Sequence, residues 1–239
     1  MEFHIRCDPK EISRYVFVPG SHDRARKIAA YFDHFHAVSE SRGYLVYSGE
    51  VDGIHMTVSS TGMGGPTTAI ALEELGHMGA DTFIRVGSCG TYQEYVACGA
   101  NVISTGTYRD GGTATNYLPI QFPAVPDFSL TRALVNAAKE LGFQAHVGLG
   151  SAGDAFYAPH DPAKFDLLRK AGVLSMEMES DTLYIIAALR GWRAAAVYTN
   201  DGTDKETKPE WCEADFQRGE QEAIRIAIQA MKQIALADG

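Results

Sequence analysis

The sequence predicts a single α/β domain in which a mixed, largely parallel central sheet is flanked by helices. Runs rich in β-branched and aromatic residues alternate with helical patterns along the whole chain, which is typical of parallel strands joined by crossover helices. No repeat, low-complexity tract or linker interrupts this alternation, and 239 residues suit one substantial domain. We therefore expect residues 1–239 to form one domain.

The elements of the first half follow from local patterns. A β-rich run at 15–18 precedes a helical pattern at 23–32. The Asp52-Gly53 pair predicts a tight turn between strands 44–51 and 54–60. The other elements expected in this half are a helix at 67–78 and strands at 82–86 and 101–108.

The second half continues the alternation. Apolar residues recur at helical spacing over 130–141, which predicts a helix there. The other helices expected in this half are 162–171, 181–190 and 213–237, and the strands are 145–149, 174–178 and 194–199.

Composition and charge exclude several classes of protein. The net charge of −9 argues against a surface for nucleic acid or for anionic membranes. The N-terminus has no apolar segment typical of a signal peptide, and the longest apolar run, 185–189, is too short to span a bilayer. The four cysteines, which have no C-x-x-C spacing, are expected to be reduced thiols: Cys7, Cys89, Cys98 and Cys212. We expect a cytoplasmic protein.

Residues suited to ligand binding or catalysis lie at the ends of many of the predicted strands. Ligands of open α/β sheets bind beyond the carboxyl ends of the strands, so these residues are expected to converge there. They are Gly20 with Arg24, the loop 61–65, Arg85 with Ser88, Asp154 with Phe156, Met178 with Glu179, and Asn200 with Asp201.

Arg85 lies inside an apolar strand, where an unpaired guanidinium would be costly. Two interpretations stay open from the residues alone. Arg85 pairs either with a buried acid such as Glu179 or with an anionic ligand. The segment 87–90 offers a hydroxyl and backbone amides just beyond the strand, which favours phosphate.

The stretch SMEMES, residues 175–180, places Glu177 and Glu179 between apolar segments. An ionised carboxylate in such surroundings costs several kcal/mol unless a partner compensates for it. Because the two glutamates alternate with methionines along a strand, their side chains are expected to point the same way. Whether Glu177 contacts a ligand stays open, and a supporting role is the favoured interpretation.

Familiar cofactor and metal motifs are absent from the sequence. The glycines near 62–65 lack the third glycine of a dinucleotide fingerprint, and no P-loop or G-x-S-x-G elbow is present. The histidines lack any zinc-binding spacing, and His34 and His36 are expected on a solvated surface. We expect no cofactor and no metal.

Taken together, the motifs resemble the nucleoside phosphorylase-I family, which includes hexameric purine nucleoside phosphorylases and uridine phosphorylases. The resemblance covers nearly the whole chain as one nucleoside phosphorylase domain. The segments that carry it are VPGSHDRARKIA, STGMGGPTTAIALEEL, IRVGSCGTY, FPAVPDF, DAFYAP, SMEMES and TNDGT.

The resemblance implies an enzyme that transfers a pentose from a nucleoside to inorganic phosphate, its co-substrate. The residues it implies for phosphate are Gly20, Arg24, Arg85, Ser88 and Arg42, the last reaching a neighbouring subunit's site. It therefore implies a homo-oligomer, a hexamer built as a trimer of dimers, with no nucleic-acid or membrane partner.

The same resemblance implies the nucleoside contacts. Glu179 would accept the ribose 2′- and 3′-hydroxyls, and His4 would reach the 5′-hydroxyl across a dimer interface. Asp201 would face N7 of a purine as general acid, so that Asp201 and Arg85 are the expected catalytic residues. The remaining contacts expected around the sugar and base are Cys89, Gly90, Phe156, Glu177 and Met178.

Departures from the family's patterns bear on the base. The Gln-x-Arg pair that typically clamps a pyrimidine is missing after Phe156-Tyr157, and Asp201 takes the place of an arginine common in uridine phosphorylases. These differences favour a purine. However, residues 202–217 offer only Lys205 and Lys208, and no arginine, to partner Asp201. Ser21-His22 also replaces the usual Asp-Pro after Gly20.

Three other functions stay open. Uridine phosphorylase is the first, and a hydrolytic nucleosidase of the same fold is the second. A nucleosidase would use water and would not need three converging arginines, so Arg24, Arg42 and Arg85 favour phosphorolysis. A non-catalytic nucleoside-binding protein is the third, and the joint presence of the phosphate set, Glu179 and Asp201 disfavours it.

Overall fold

The computed structural model describes residues 2–159, 161–203 and 212–239, and in these ranges nine strands form one sheet. The strands are β1 (Tyr15–Phe17), β2 (His34–Ser41), β3 (Tyr44–Val51), β4 (Ile54–Ser59), β5 (Thr82–Thr91), β6 (Asn101–Asp110), β7 (Ala145–Gly153), β8 (Ser175–Glu177) and β9 (Arg193–Thr203). The helices are α1 (His22–Ala29), α2 (Gly65–His77), α3 (Thr113–Tyr117), α4 (Phe128–Glu140), α5 (Pro162–Lys170), α6 (Ser180–Arg190) and α7 (Glu213–Asp238), and a short 3₁₀ helix spans Pro9–Glu11.

The sheet is mixed, as expected from the sequence. Its order is β2-β3-β4-β1-β5-β8-β7-β6-β9, and β9 also pairs with β5. Parallel pairings join β1 to β4 and β5, β5 to β9, and β7 to β6 and β8. Because β9 pairs with both β5 and β6, the second half of the sheet closes into a ring.

Helices cover the sheet on two sides, and each side has its own hydrophobic core. Helices α2 and α6 bury Leu72, Leu75 and Leu183 in the first core. Helices α1, α4 and α7 bury Ile28, Leu134 and other aliphatic side chains in the second. The amphipathic pattern that predicts α4 from the sequence therefore has its cause in burial against α7 and β9.

The elements expected from the sequence are all present, with shifted ends and two additions. The Asp52-Gly53 hairpin is confirmed, and both residues have the positive φ angles, 49° and 76°, of a tight hairpin turn. Strand β2 and helix α3 were not expected. His34 and His36 lie in β2 and are exposed, as predicted.

Strand β5 is longer than expected. The segment 87–90 was predicted to follow the strand as a source of free amides. Instead it continues β5 and pairs with β9, where Gly87 lies opposite Tyr198 and Ser88 opposite Thr199. The prediction was wrong because a parallel neighbour extends the ladder over residues whose glycines suggest a loop.

The prediction of reduced thiols is wrong for two cysteines. Cys98 and Cys212 form a disulfide with a Cα–Cα distance of 6.5 Å, whereas Cys7 and Cys89 are free and buried. Their 114-residue separation hid the pairing, since no local spacing signals it. The cysteines therefore no longer support a cytoplasmic location, because that inference assumed that all four are reduced. Among the described residues, no helix is both long and apolar enough to cross a membrane.

Candidate functional site

Arg85, in the middle of β5, is held between two buried carboxylates. Its Nε donates to Glu177 Oε2 over 2.9 Å, and its Nη2 donates to Glu179. The side chains of Arg85, Glu177 and Glu179 are only 6%, 2% and 5% exposed. The sequence-based alternative that paired Arg85 with Glu179 is therefore seen in the structure, with Glu177 as a second partner.

Strand direction brings these three side chains together. β8 runs antiparallel to the end of β5, with Met176 opposite Gly90 and Ser175 opposite Thr91. The chain after β8 therefore runs back along β5 towards Arg85. The sequence suggested that the side chains of the site would converge at the carboxyl ends of parallel strands. Instead, the antiparallel pair β5–β8 brings these three side chains together.

Glu177 uses both oxygens within the protein. Oε1 accepts from the amide and hydroxyl of Ser180 over 2.8 and 2.6 Å, and Oε2 accepts from Arg85 and from the Glu179 amide over 3.0 Å. Burial raises the pKa of Glu177 to about 7, against the opposing effect of Arg85. These four contacts are within the protein, and the supporting role favoured by the sequence stays a prediction.

Glu179 connects Arg85 to the start of helix α2. Its Oε1 accepts from the Gly64 amide over 2.6 Å, so this carboxylate joins the 61–65 loop to β5. Gly64 has a φ of 90°, a conformation that favours glycine. The loop singled out in the sequence thus belongs to the same site.

One nitrogen of Arg85 is left over. Nη1 is buried and has no hydrogen-bond partner among the described residues. It lies beside Gly20, where an added Cβ would come within 3.9 Å of it and within 3.3 Å of the Gly62 oxygen. Burial alone would lower the pKa of Arg85, but Glu179 and Glu177 outweigh burial and raise it, so the guanidinium stays charged.

A second buried guanidinium, Arg24, lies near the same strand. It extends from the first turn of α1, which Ser21 caps by accepting from the Arg24 amide over 3.2 Å. Its Nε donates to Glu220 over 2.6 Å, and its Nη1 points to the Val86 carbonyl at 3.5 Å. Lys27 also donates to Glu220 over 2.8 Å. Two cations thus share one buried acid of α7.

Asp201 lies in β9 and not in the turn that was its alternative interpretation. The β5–β9 register shifts here, since Cys89 is opposite Asn200 but Gly90 is opposite Gly202. Asp201 is therefore the extra residue of an irregular pairing, a feature that can redirect a side chain. Burial raises the pKa of the Cys89 thiol well above its usual value, and the charge of Asp201 raises it further, so this thiol is neutral.

The remaining expected contacts are more open. Ser88, Gly90 and Met178 are half-buried. Phe156 lies on the loop after β7, is 62% exposed, and contacts the Tyr157 ring at 5.0 Å.

His4 and Arg42 form a separate group with Phe3. Arg42 is exposed on the β2–β3 turn, with a φ of 51°, and its guanidinium stacks 5.1 Å from the Phe3 ring. The His4 ring lies 4.9 Å from the same Phe3 ring. His22, whose replacement of a proline had no explanation in the sequence, bonds through Nε2 to the Gly43 carbonyl at 2.8 Å. It therefore anchors the turn that carries Arg42.

Two buried acids were missed from the sequence. Glu220 is 4% exposed and pairs with Arg24, and Glu74 is 7% exposed and bonds to His4. Both lie among the buried residues of their helices, and a charge within an apolar stretch of helix is the signal that could have found them.

Some residues named from the sequence lie outside the described ranges. They are Lys205 and Lys208, considered as partners of Asp201. Within the described ranges, no group of three or more His, Cys, Asp or Glu side chains could hold a metal ion.

Comparison with known proteins gives a consistent family. The family model described as "Phosphorylase superfamily" matches residues 14–235. The chain is 38% identical to a uridine phosphorylase of Thermococcus kodakarensis, over 98% of this chain and 87% of that protein. It is 39% identical to a uridine phosphorylase of Treponema pallidum, over 99% and 95%. A crystal structure of Toxoplasma gondii purine nucleoside phosphorylase in complex with immucillin-H superposes with a TM-score of 0.93 and 27% identity, over 98% and 96%.

These relatives agree with the expected family, fold and phosphate co-substrate. The two similar sequences do not support the expected preference for a purine, because both are named uridine phosphorylases. The alternative substrate considered from the sequence, uridine, fits them better.

Proposed function

This chain belongs to the phosphorylase superfamily as a pentosyltransferase of the nucleoside phosphorylase kind, and on that premise we propose that it converts uridine and inorganic phosphate into uracil and ribose 1-phosphate. The observation that carries the proposal is the buried Arg85, charged, paired with Glu177 and Glu179, and left with a spare N–H beside Gly20. Identity to uridine phosphorylases supports the choice of base.

Phosphate binds, in this proposal, between the two buried guanidinium groups. Arg85 Nη1 donates to it beside the Gly20 backbone, and Arg24 approaches from α1 with its Nε already occupied by Glu220. Ser88 adds a hydroxyl. Buried guanidinium groups suit a phosphate because their charge is fixed and their N–H groups are already oriented.

The ribose lies next to the phosphate, on the Glu179 side of Arg85. Glu179 accepts the 2′- and 3′-hydroxyls, and Met178, Cys89 and Gly90 surround the sugar and base. Glu177 does not need to contact the ligand, because Arg85, Ser180 and the Glu179 amide occupy its oxygens. Its part is to hold Arg85 and Glu179 in place.

The chemistry follows from charge. Breaking the C1′–N bond leaves positive charge on the sugar and moves the bonding electrons into the base. Phosphate held by arginines supplies the nucleophile and a negative charge close to C1′, and it forms the new C1′–O bond. Arg85 keeps that phosphate in position throughout, because its own carboxylate partners are fixed.

A purine nucleoside with a 6-oxo group, inosine or guanosine, is the second candidate. Asp201 favours it, because a carboxyl group facing N7 could give a proton to the departing purine. The irregular β5–β9 pairing at Asp201 is the observation behind this candidate. Phe156, on its exposed loop, would contact either base.

The proposal is tested by incubating the protein with uridine, thymidine, inosine, guanosine and adenosine, each with and without phosphate. We expect uridine to be cleaved fastest, only with phosphate, and with ribose 1-phosphate as product. An Asp201→Asn variant separates the candidates. It should lose about 10²-fold or more in rate if inosine is the preferred substrate and much less if uridine is. Equal rates without phosphate, with free ribose as product, would identify a nucleosidase instead.

The proposal extends to the assembly. Arg42 and His4 complete the phosphate and ribose contacts of a neighbouring subunit in a trimer of dimers. Arg42 is exposed and His4 is partly exposed, which leaves both accessible to another subunit. The chain would act in the cytoplasm on free nucleosides.

A further inference from the structure

Glu74, on helix α2, holds the N-terminal segment of the chain. One carboxylate oxygen lies 2.6 Å from His4 Nδ1, and the other accepts from the Ile5 amide over 2.6 Å. The His4 amide lies 3.0 Å from both oxygens. A single buried side chain therefore fixes the backbone and the ring of His4 at once.

Glu74 carries its charge in this position. Burial would raise the pKa of Glu74, but hydrogen bonds from the Ile5 amide and from His4 outweigh it and hold the pKa below its ordinary value. The carboxylate is ionised and can only accept hydrogen bonds.

The identity of the acceptor decides which ring nitrogen of His4 bears the proton. Because Glu74 can only accept, Nδ1 donates to it, and in the neutral imidazole Nε2 is left as an acceptor. Neighbouring rings restrict the imidazole further, since Phe3 lies 4.9 Å away and Tyr44 6.3 Å away, both edge to face.

We propose that Glu74 is a positioning residue that makes His4 present an acceptor nitrogen, so that the site selects a nucleoside with a hydrogen-bond donor at its 5′ position. This inference rests on the proposed function, in which His4 reaches the ribose 5′-hydroxyl. The 5′-hydroxyl donates to Nε2, and a substituent that cannot donate is disfavoured.

The experiment compares uridine with 5′-deoxy-5′-fluorouridine, whose fluorine has nearly the size of a hydroxyl but cannot donate. If the base panel identifies a purine, the matching pair of inosine analogues is used. We expect the wild-type enzyme to prefer the hydroxyl substrate by about tenfold in kcat/KM, the scale of one good hydrogen bond. In Glu74→Gln, the amide can donate to Nδ1, so the proton moves to Nε2 and the preference falls towards unity.

The matched control is Glu73→Gln, one position earlier on the same helix, where the glutamate pairs with Arg190 at the surface. It should keep the wild-type preference. If Glu74 is only structural, Glu74→Gln lowers kcat/KM for both substrates equally and leaves the preference unchanged, which overturns the proposal. A wild-type enzyme with no preference, or His4→Ala with an unchanged one, overturns it as well.

A second readout does not depend on activity. Long-range ¹H–¹⁵N spectra of histidine-labelled protein report which ring nitrogen is protonated, with His4→Ala to assign the signal. We expect an Nδ1–H ring in the wild type and an Nε2–H ring in Glu74→Gln. An Nε2–H ring in the wild type contradicts the inference even if phosphorolysis is confirmed. Conversely, an Nδ1–H ring in a protein without phosphate-dependent activity supports the geometry and rejects the proposed function.

Discussion

Burying Arg85 alone would cost free energy, but its two carboxylate partners compensate for this cost and hold the side chain in place. A buried guanidinium needs compensation, and Glu177 and Glu179 supply it together. Removing one member of such a buried set typically costs about 3–5 kcal/mol, because the charge left behind is unpaired. Arg85, Glu177 and Glu179 therefore depend on one another, and substitutions among them should not be additive.

The pH dependence of stability follows from Glu177. Its pKa is about 7 in the folded chain and near the ordinary 4.5 in the unfolded chain. Between these values the folded state carries more protons, so the free energy of unfolding contributed by Glu177 falls as pH rises from 4.5 to 7. Glu177→Gln removes the titrating group and should remove this fall.

Urea unfolding of both proteins, from about pH 5 to about pH 8 at one protein concentration, measures the effect. The stability of the wild type relative to Glu177→Gln should decrease with rising pH. Parallel curves for the two proteins would mean that Glu177 titrates at its ordinary pKa.

For single residues, the sequence predicts several of the charged side chains whose burial costs free energy, but not all of their partners. An arginine in an apolar strand and two glutamates among methionines stand out as single positions. Strand alternation does not set the direction of both glutamates, since β8 ends at Glu177 and Glu179 lies just before α6. Arg24–Glu220 and His4–Glu74 join residues 196 and 70 positions apart. Only the packing of α7 on α1 and of the N-terminus on α2 makes those pairs, so no local pattern contains them.

Among the elements, the two hairpins of the first half differ in what they carry. The β3–β4 turn at Asp52-Gly53 is a connection, whereas the β2–β3 turn holds Arg42 on the surface. The β2–β3 turn is held by hydrogen bonds from two side chains. Its Gly43 carbonyl receives His22 Nε2 at 2.8 Å and the Ser60 hydroxyl at 3.5 Å. His22 begins the helix that carries Arg24, so it links the β2–β3 turn to α1.

We therefore expect His22→Ala to weaken phosphate binding. Without its anchor, the turn should hold Arg42 less firmly, and the KM for phosphate should rise about threefold to tenfold, the scale of one hydrogen bond, with little change in kcat. Steady-state kinetics at varied phosphate measure this.

His36→Ala is the control, because His36 lies on β2 of the same hairpin and bonds instead to Glu11 at the surface. An equal rise in that variant would show a general loosening of the hairpin. In an Arg42→Ala background the His22 substitution should have no further effect on the KM for phosphate.

Helices and strands were predicted correctly where burial gives a clear sequence pattern, and they were missed or cut short where burial or residue type gives none. Helix α4 shows clear helical spacing, and its ends are found within two residues of those expected. Strand β2, HFHAVSES, is largely exposed, so burial leaves no alternation to read. The end of β5 is rich in glycine and suggests a loop, and its pairing with β9 and β8 makes it a strand.

For the whole molecule, the shared-site proposal gives a complementation test. Subunits with His4→Ala and Arg42→Ala should be inactive, and so should subunits with Glu179→Ala. Mixed dimers hold one site with every group intact. Equal co-expression should restore about one quarter of wild-type activity, because half of the dimers are hybrids and each has one complete site.

Activity assays on the co-expressed mixture measure the result, and purification through two different affinity tags confirms that hybrids have formed. Co-expression of two differently tagged copies of the His4/Arg42 variant is the control and should stay inactive. Confirmed hybrids without activity would mean that each subunit builds its site alone.

The paired charges around Arg85 and Arg24 have a consequence for assembly. Glu177, Glu179 and Glu220 already offset Arg24, Lys27 and Arg85 within one subunit, and Asp23 also pairs with Lys27. A bound phosphate adds negative charge that the set does not offset, and under the shared-site proposal Arg42 of a neighbouring subunit supplies the missing cation. Thermodynamic linkage is reciprocal: if association strengthens phosphate binding, phosphate strengthens association by the same factor. Dilution in phosphate-free buffer would then separate the subunits and lose the anion site in one step, and the co-substrate would act as the ligand that keeps the enzyme assembled.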